Sequence, residues 1–312
     1  MQEALAISIP ATQVIAINTI TNDMFNRFIA YLDISQKSVE TYAKAIKSFS
    51  RYIQAHNISR PTRQDILNYK TYLEQKHKPA TINLYIIAVR LFFEWADAEG
   101  LYPNVANHIK GKRVNREPKK DSLTVQQVKD ILSNVDTSTM QGLRDYAIIV
   151  TAITCGLRTI ELSRLTINDI RTSGDRLVLD VWGKGRDEAE AVNLPLQTYK
   201  AILQYLATRN NTDGTQPLFA SMSNKNNGGA MTTRSISRII KNAFIDSGYN
   251  TERLTAHSCR HTAVTLALLN DESIQEVQQF ARHKNIATTM IYAHNLDKAK
   301  NSCTNTIANV IF

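Results

Sequence analysis

Cysteine is scarce in this chain. The three present, Cys155, Cys259 and Cys303, are too far apart in 312 residues for a disulfide framework or a CxxC metal site. They suit a reducing cytoplasm, where such thiols are mostly buried as small apolar side chains. No uncharged run reaches the roughly 18 residues that a bilayer span needs. The opening stretch MQEALAISIPATQVIAI carries Glu3 where a secretory leader would carry positive charge. It therefore reads as a loose N-terminal arm over residues 1–20. The sequence has no GxxxxGK[ST] loop, no HExxH and no dense Asp/Glu cluster, so neither a nucleotide-driven nor a two-metal chemistry is expected. Cofactors and metals are expected to be none. No internal repeat is evident.

What remains is a globular composition, 43% hydrophobic and 21% charged, long enough for two domains. The charge balance is basic: 37 Lys and Arg against 28 Asp and Glu, a formal net of +9. A surplus of that size points to a polyanionic partner without choosing DNA, RNA or an acidic membrane. The surplus is uneven. Residues 1–120 hold 17 basic and 10 acidic side chains, and six of the basic ones fall in KGKRVNREPKK, from Lys110 to Lys120, against Glu117 alone. That segment cannot bury a face, so it reads as a linker. It is either a solvated connector or a basic strap lying along phosphates, with Lys110, Lys112, Arg113, Arg116, Lys119 and Lys120 as contacts.

Before the linker the spacing is helical. Phe25, Phe28, Ile29 and Leu32 mark a short helix. Ser35 opens an apolar stripe through Val39, Ala43, Ile46, Phe49 and Ile53. Thr62 with Asp65 three residues on is a capping arrangement for a third helix, and Pro79 starts a fourth that ends near Gly100. After the linker, helices are predicted from Leu123-Thr124, over about 143–154, from Leu196, and near 232–247, 257–269, 273–281 and 286–292. Between them Arg176–Val181 and Glu188–Leu194 read as two strands joined by a tight turn at Trp182-Gly-Lys-Gly-Arg-Asp187.

Chemistry-bearing groups gather in the second half. His257 and Arg260, three apart on a helix, share a face. Arginine presents a planar fork to two phosphate oxygens, histidine moves a proton near neutral pH, and Tyr292 is a possible nucleophile. Each group also has a plain reading: a surface charge, a structural histidine, a half-buried core tyrosine. His257 and His261 at i,i+4 could bind a metal, but no acidic third ligand is near in sequence.

Taken together, the motifs carry a resemblance. Thr154-Cys-Gly-Leu-Arg-Thr-Ile-Glu-Leu-Ser-Arg-Leu165 resembles the T-G-[LM]-R-x-x-E-[LI]-x-x-L box of the tyrosine recombinases, the phage integrase family. Leu254-Thr-Ala-His-Ser-Cys-Arg-His-Thr262 is similar to its H-x-x-R-H box. Ala281-Arg-His-Lys-Asn-Ile-Ala-Thr-Thr-Met-Ile-Tyr292 is similar to its L-G-H-x-x-[IV]-x-T-T-x-x-Y box, and Trp182-Gly-Lys-Gly-Arg to its hairpin G-K-G-x-K. All four stand in the family's order and spacing. By position, the resemblance implies that Arg158 and Arg260 clamp the scissile phosphate and that Tyr292 forms a 3′-phosphotyrosyl bond. It implies Lys184 as the acid for the leaving 5′ oxygen, His257 as proton shuttle and His283 as a phosphate hydrogen bond. Glu161 would orient Arg158 or a backbone group, or form only a surface pair with Arg158 or Arg164. His261 reads as structural. Arg282 stands where the family has glycine, a departure expected to change the turn before His283 or to add a phosphate contact.

The fold class implied is mainly α (α+β): an N-terminal four-helix core-binding bundle over 21–109, the basic linker 110–120, and a mostly helical catalytic domain over 121–295 with a small antiparallel β-sheet. The tail 296–312 ends in Ile307-Ala-Asn-Val-Ile-Phe312, which either packs on its own surface or is donated to a neighbouring protomer. The layout is Xer-like. Expected partners are double-stranded DNA and, on paired sites, a homo-tetramer or a related recombinase, with no membrane and no small-molecule substrate. The expected location is cytoplasmic, on the nucleoid. Two other functions compete: a catalytically silent DNA-binding factor and a type IB topoisomerase-like relaxation activity.

Overall fold

The computed structural model describes residues 22–114, 121–183, 188–300 and 303–311. The arm over 1–20, Arg116, Lys119, Lys120, Lys184 and Phe312 lie outside the described residues. The chain divides into two compact units, Met1–Asn115 and Arg116–Phe312.

The first unit holds four helices, α1 (Asn22–Tyr31), α2 (Gln36–Ala55), α3 (Arg63–Glu74) and α4 (Pro79–Ala98). Their starts follow from local chemistry. The Ser35 side chain accepts from the Ser38 N–H, Thr62 and Asp65 form a reciprocal capping box, and Pro79 occupies the first turn of α4. α4 is apolar nearly all round, burying Ile82, Tyr85, Ile86, Val89, Phe92, Phe93 and Trp95. It therefore runs through the middle of the bundle and touches the other three helices. Phe28, Phe49 and Tyr69 close around it, and the Tyr102 hydroxyl donates to the Pro61 carbonyl at 2.8 Å.

The second unit is mostly helical: α5 (Val125–Ser133), α6 (Met140–Thr154), α7 (Thr159–Arg164), α8 (Leu196–Leu206), α9 (Thr233–Asp246), α10 (Ala256–Leu269), α11 (Ile274–Phe280), α12 (Ile286–Lys300) and α13 (Cys303–Ile311). Its sheet has three antiparallel strands in the order β1 (Ile170–Ser173), β2 (Arg176–Trp182), β3 (Ala189–Asn193). Leu179 of β2 pairs with Ile170 on one side and Val192 on the other. β2 and β3 match the sequence expectation. β1, α7 and the tail helix α13 do not appear in it. β1 is a mostly exposed edge strand with no apolar alternation, and α7 is six residues long, too short for a helical period to show. The β1–β2 turn is Gly174-Asp175, with Gly174 at φ +61°, which suits a glycine-first two-residue hairpin. α12 runs to Lys300, past the position where a separate tail was expected to begin. No helix among the described residues is long and apolar enough to cross a membrane.

Candidate active site

The first box is built at a helix end. α6 stops at Thr154, Cys155 follows as its cap, and Gly156 takes φ +58°. Only glycine suits this position twice over: the backbone is left-handed, and a Cβ would sit 3.0 Å from the Phe280 ring. The turn aims the Gly156 carbonyl inward and starts α7 at Arg158. Glu161, one turn on, is fully buried. Its Oε2 accepts from the Arg158 backbone N–H at 2.8 Å and its Oε1 from Arg158 Nη1 at 2.6 Å. Arg282 Nη2 donates to Oε2 at 2.9 Å. The surface-pair reading of Glu161 is thus corrected: an unpaired buried carboxylate is costly, and this one is enclosed by two guanidinium groups. Burial pushes the Glu161 carboxyl up, but Arg282 and Arg158 outweigh it and hold it below the usual carboxylate range.

The second box lies at the start of α10, where the Ser258 hydroxyl accepts from the Thr255 N–H. Arg260 is 1% exposed; its Nη1 donates to the Gly156 carbonyl at 2.7 Å. Its Nη2 is buried with no hydrogen-bond partner among the described residues. A buried guanidinium nitrogen left open marks a place for an acceptor oxygen. Burial, then the charges of Arg158 and Arg282, pull the Arg260 group down to about 9. His257 and His261 meet edge to face with ring centroids 4.7 Å apart. Among the described residues no third His, Cys, Asp or Glu joins them in a metal-binding group.

The third box spans the α11–α12 turn. Arg282 keeps φ +51° and is buried, donating to the carbonyls of Phe280 and Gly156 as well as to Glu161. Its Nη atoms bind protein oxygens, while its Nε is buried with no hydrogen-bond partner among the described residues. His283 Nδ1 lies 2.9 Å from the hydroxyl of buried Thr289. The Tyr292 ring sits 5.0 Å from the His261 ring and stacks 6.3 Å from that of His283. Burial raises the Tyr292 phenol above its ordinary value, while the charges of Arg260 and Arg158 reach it and pull the other way. His261 and His283 are both pushed down to about 4, by burial first and then by the neighbouring cations. They are neutral imidazoles at pH 7.

Sequence reasoning missed the place of His261, which stands between the rings of His257 and Tyr292. The signal available was its i,i+4 spacing from His257. Arg158, with a third of its side chain exposed, faces a cavity of about 530 Å³ that Thr159, Lys241, Thr255 and His257 also line. The buried network itself holds three guanidinium groups and one carboxylate, a net charge of +2.

The basic segment begins differently from a free connector. Lys70 Nζ donates to the Lys110 carbonyl at 2.7 Å, and Asn83 brackets Lys112 through both its N–H and its carbonyl. Lys112 Nζ pairs with Glu74 at 2.7 Å. Lys110 and Arg113 are exposed.

Two family models match this chain: the phage integrase family over residues 121–299, and the phage integrase N-terminal SAM-like domain over residues 16–100. The chain is 28% identical to tyrosine recombinase XerC of Pelobacter propionicus over 274 residues, covering 85% of this chain and 87% of that protein. Among solved structures it resembles the XerH site-specific recombinase bound to a palindromic difH substrate in a post-cleavage complex. That match has a TM-score of 0.72 at 20% identity, over 87% of this chain and 80% of the other. A lambda integrase tetramer bound to a Holliday junction matches with a TM-score of 0.70 at 18% identity, over 89% and 78%. These two likenesses concern the fold.

Proposed function

This chain belongs to the phage integrase family, and from that premise we propose that it cleaves and rejoins DNA at specific sites through a covalent bond to Tyr292. One observation carries the assignment of residues: a buried network with a net charge of +2, one open arginine nitrogen on Arg260, and a tyrosine within reach of its field. A phosphodiester carries one negative charge, and the five-coordinate transition state carries two. Fixed cations in a dry site favour the second over the first, which is the differential stabilisation that catalysis requires.

The roles follow. Arg158 and Arg260 hold the non-bridging phosphate oxygens. The Tyr292 Oη attacks phosphorus as its proton passes to the imidazole of His257, and the P–O5′ bond breaks. His283, with Nδ1 turned to Thr289, presents Nε2 to the phosphate. Lys184, outside the described residues, protonates the departing 5′ oxygen. A 5′ hydroxyl of the partner strand later attacks the phosphotyrosine and frees Tyr292. Bond energy stays in the covalent link throughout.

The finer proposals concern assembly and DNA path. Ile307, Val310 and Ile311 lie on one face of α13 and are 58%, 81% and 66% exposed. That face supports donation of the tail to a second protomer and a homo-tetramer on paired sites, in a cytoplasmic, nucleoid-bound protein. Lys110, Arg113, Arg116, Lys119 and Lys120 run along phosphates, with Lys112 partly diverted to Glu74.

The test uses the full chain. Sequencing the DNA joined to Tyr292 identifies the site, and a nicked duplex of that site traps the adduct. Tyr292→Phe is expected to bind the duplex unchanged and form no adduct. A chain that binds but never forms an adduct is a silent DNA-binding factor. A chain that relaxes supercoils as a monomer without exchanging paired sites is topoisomerase-like.

A further inference from the structure

Arg282 has both terminal nitrogens taken up by protein oxygens. It is buried, it stands in left-handed backbone at φ +51°, and its guanidinium joins three separate segments. Nη1 donates to the Phe280 carbonyl at 3.0 Å at the end of α11. Nη2 donates to the Gly156 carbonyl at 3.2 Å and to Glu161 Oε2 at 2.9 Å. A non-glycine residue persists in such backbone only where its surroundings hold it there.

We infer that Arg282 is a positioning residue for strand cleavage, setting Arg158 through Glu161 and Arg260 through the shared Gly156 carbonyl. The inference rests on the recombinase reading above.

The electrostatics explain why a third guanidinium is useful. Glu161 is fully buried, so its charge must be matched. Were Arg158 its sole counterion, that arginine would be committed to the carboxylate. With Arg282 on Oε2, Arg158 gives one nitrogen to Oε1 and keeps a third of its side chain exposed for a phosphate. On the other side, the Gly156 carbonyl accepts from both Arg260 and Arg282, so the open Arg260 Nη2 is aimed by a group that Arg282 also grips. One side chain thereby sets the two that hold the phosphate. Arg282 also precedes His283 in the chain, so its anchoring sets where that ring begins.

Three variants on the recovered-site duplex test this. The charged and titratable groups around Glu161 and Arg282 are Arg158 at the N-cap of α7, Arg260 from α10, His283 next to Arg282, and the Cys155 thiol before the Gly156 turn. Arg282→Gly suits the backbone and removes the guanidinium. DNA binding is expected to stay within about twofold, while adduct formation slows about ten- to hundredfold through misplaced arginines. The Glu161 carboxyl, still buried and short of its main counterion, should titrate higher, so the rate should fall on the acid side at a pH where the parent chain is flat. Glu161→Gln combined with Arg282→Gly should lose the part of that limb the carboxyl carries, leaving only what His283 contributes. Arg282→Lys keeps the charge near Glu161 but cannot fork to Gly156; a reduced rate with the parent pH profile is expected. It carries the test if Arg282→Gly melts below the assay temperature.

The inference is overturned if Arg282→Gly cleaves at the parent rate with the parent pH profile, or if the double variant keeps the acid limb of Arg282→Gly unchanged. It is overturned equally if Arg282→Lys matches the parent rate. A parent chain without adduct, or a Tyr292→Phe chain with one, sinks the recombinase reading instead.

Discussion

At full burial the first unit holds Phe28, Phe49, Phe92, Phe93 and Tyr69, packed as aromatic pairs such as Phe28 against Phe92 at 5.3 Å and Phe49 against Tyr69 at 5.1 Å. The second unit holds the buried charges Arg144, Glu161, Arg260 and Arg282, at 5%, 0%, 1% and 8% exposure, and every buried charged side chain among the described residues is there. Each buried aromatic or aliphatic side chain contributes about 1.5–3 kcal/mol, whereas each buried charge has a desolvation cost that only close partners offset. The first unit is organised for stability. The second combines a large apolar core, from Ile148 to Phe244, with a small charged network that its own groups leave incomplete at Arg260 Nη2. A site can be strained and under-neutralised because packing elsewhere in the same unit outweighs it.

Substitutions in the two units should separate these regimes. Phe92→Ala in the first unit is expected to lower stability by about 3–5 kcal/mol through an aromatic-sized void, seen as a lower denaturation midpoint. The adduct-forming chemistry per folded molecule should be untouched, and a changed pH–rate profile would contradict the division. Glu161→Leu in the second unit should also destabilise, by about 3–5 kcal/mol, because it strands Arg282 without its counterion. Here adduct formation must fall as well, and a variant of parent activity would break the comparison. Arg260→Lys should change stability little and slow cleavage by about 10²-fold or more, since lysine cannot reach the Gly156 carbonyl and a phosphate together. Thr62→Ala removes a capping box from α3 and should cost about 1 kcal/mol, confined to the first unit.

The second unit should also show a pH slope in its stability. His261 and His283 titrate at about 4 in the folded chain against an ordinary value of 6.5. Between these values the unfolded chain binds protons that the folded one refuses. The contribution of the neutral rings is complete above pH 6.5 and is lost as pH falls through that window toward about 4. Melting of the second unit should therefore decline there, and His261→Gln should flatten the decline. A parent chain whose second unit melts alike from about pH 7 to about pH 4.5 would contradict the depressed values.

The helices were legible because their signals are local. Ser35, Thr62, Thr124 and Ser273 cap the helices that follow them through partners three residues away, and the apolar stripe of α2 is written at its own period. β1 and α7 were not, since an exposed edge strand and a six-residue helix carry no period. The grouping of Arg158, His257, Arg260, His283 and Tyr292 as one candidate site was legible only as a pattern of motifs. No single residue among them carried it.

The sequence by itself determined which residues are the candidates for the chemistry: the tyrosine, the arginines and the histidines, in an order that resembles one family. The tertiary structure alone decided how they are held. The bond from Arg260 to Gly156 spans 104 residues, that from Arg282 to Glu161 spans 121, and that from Arg282 to Gly156 spans 126. A carboxylate three residues from an arginine looks the same in sequence whether it is on a surface or at 0% exposure. Only packing between α7, α10 and the α11–α12 turn buries Glu161, and only burial turns those charges into a network with a net positive charge.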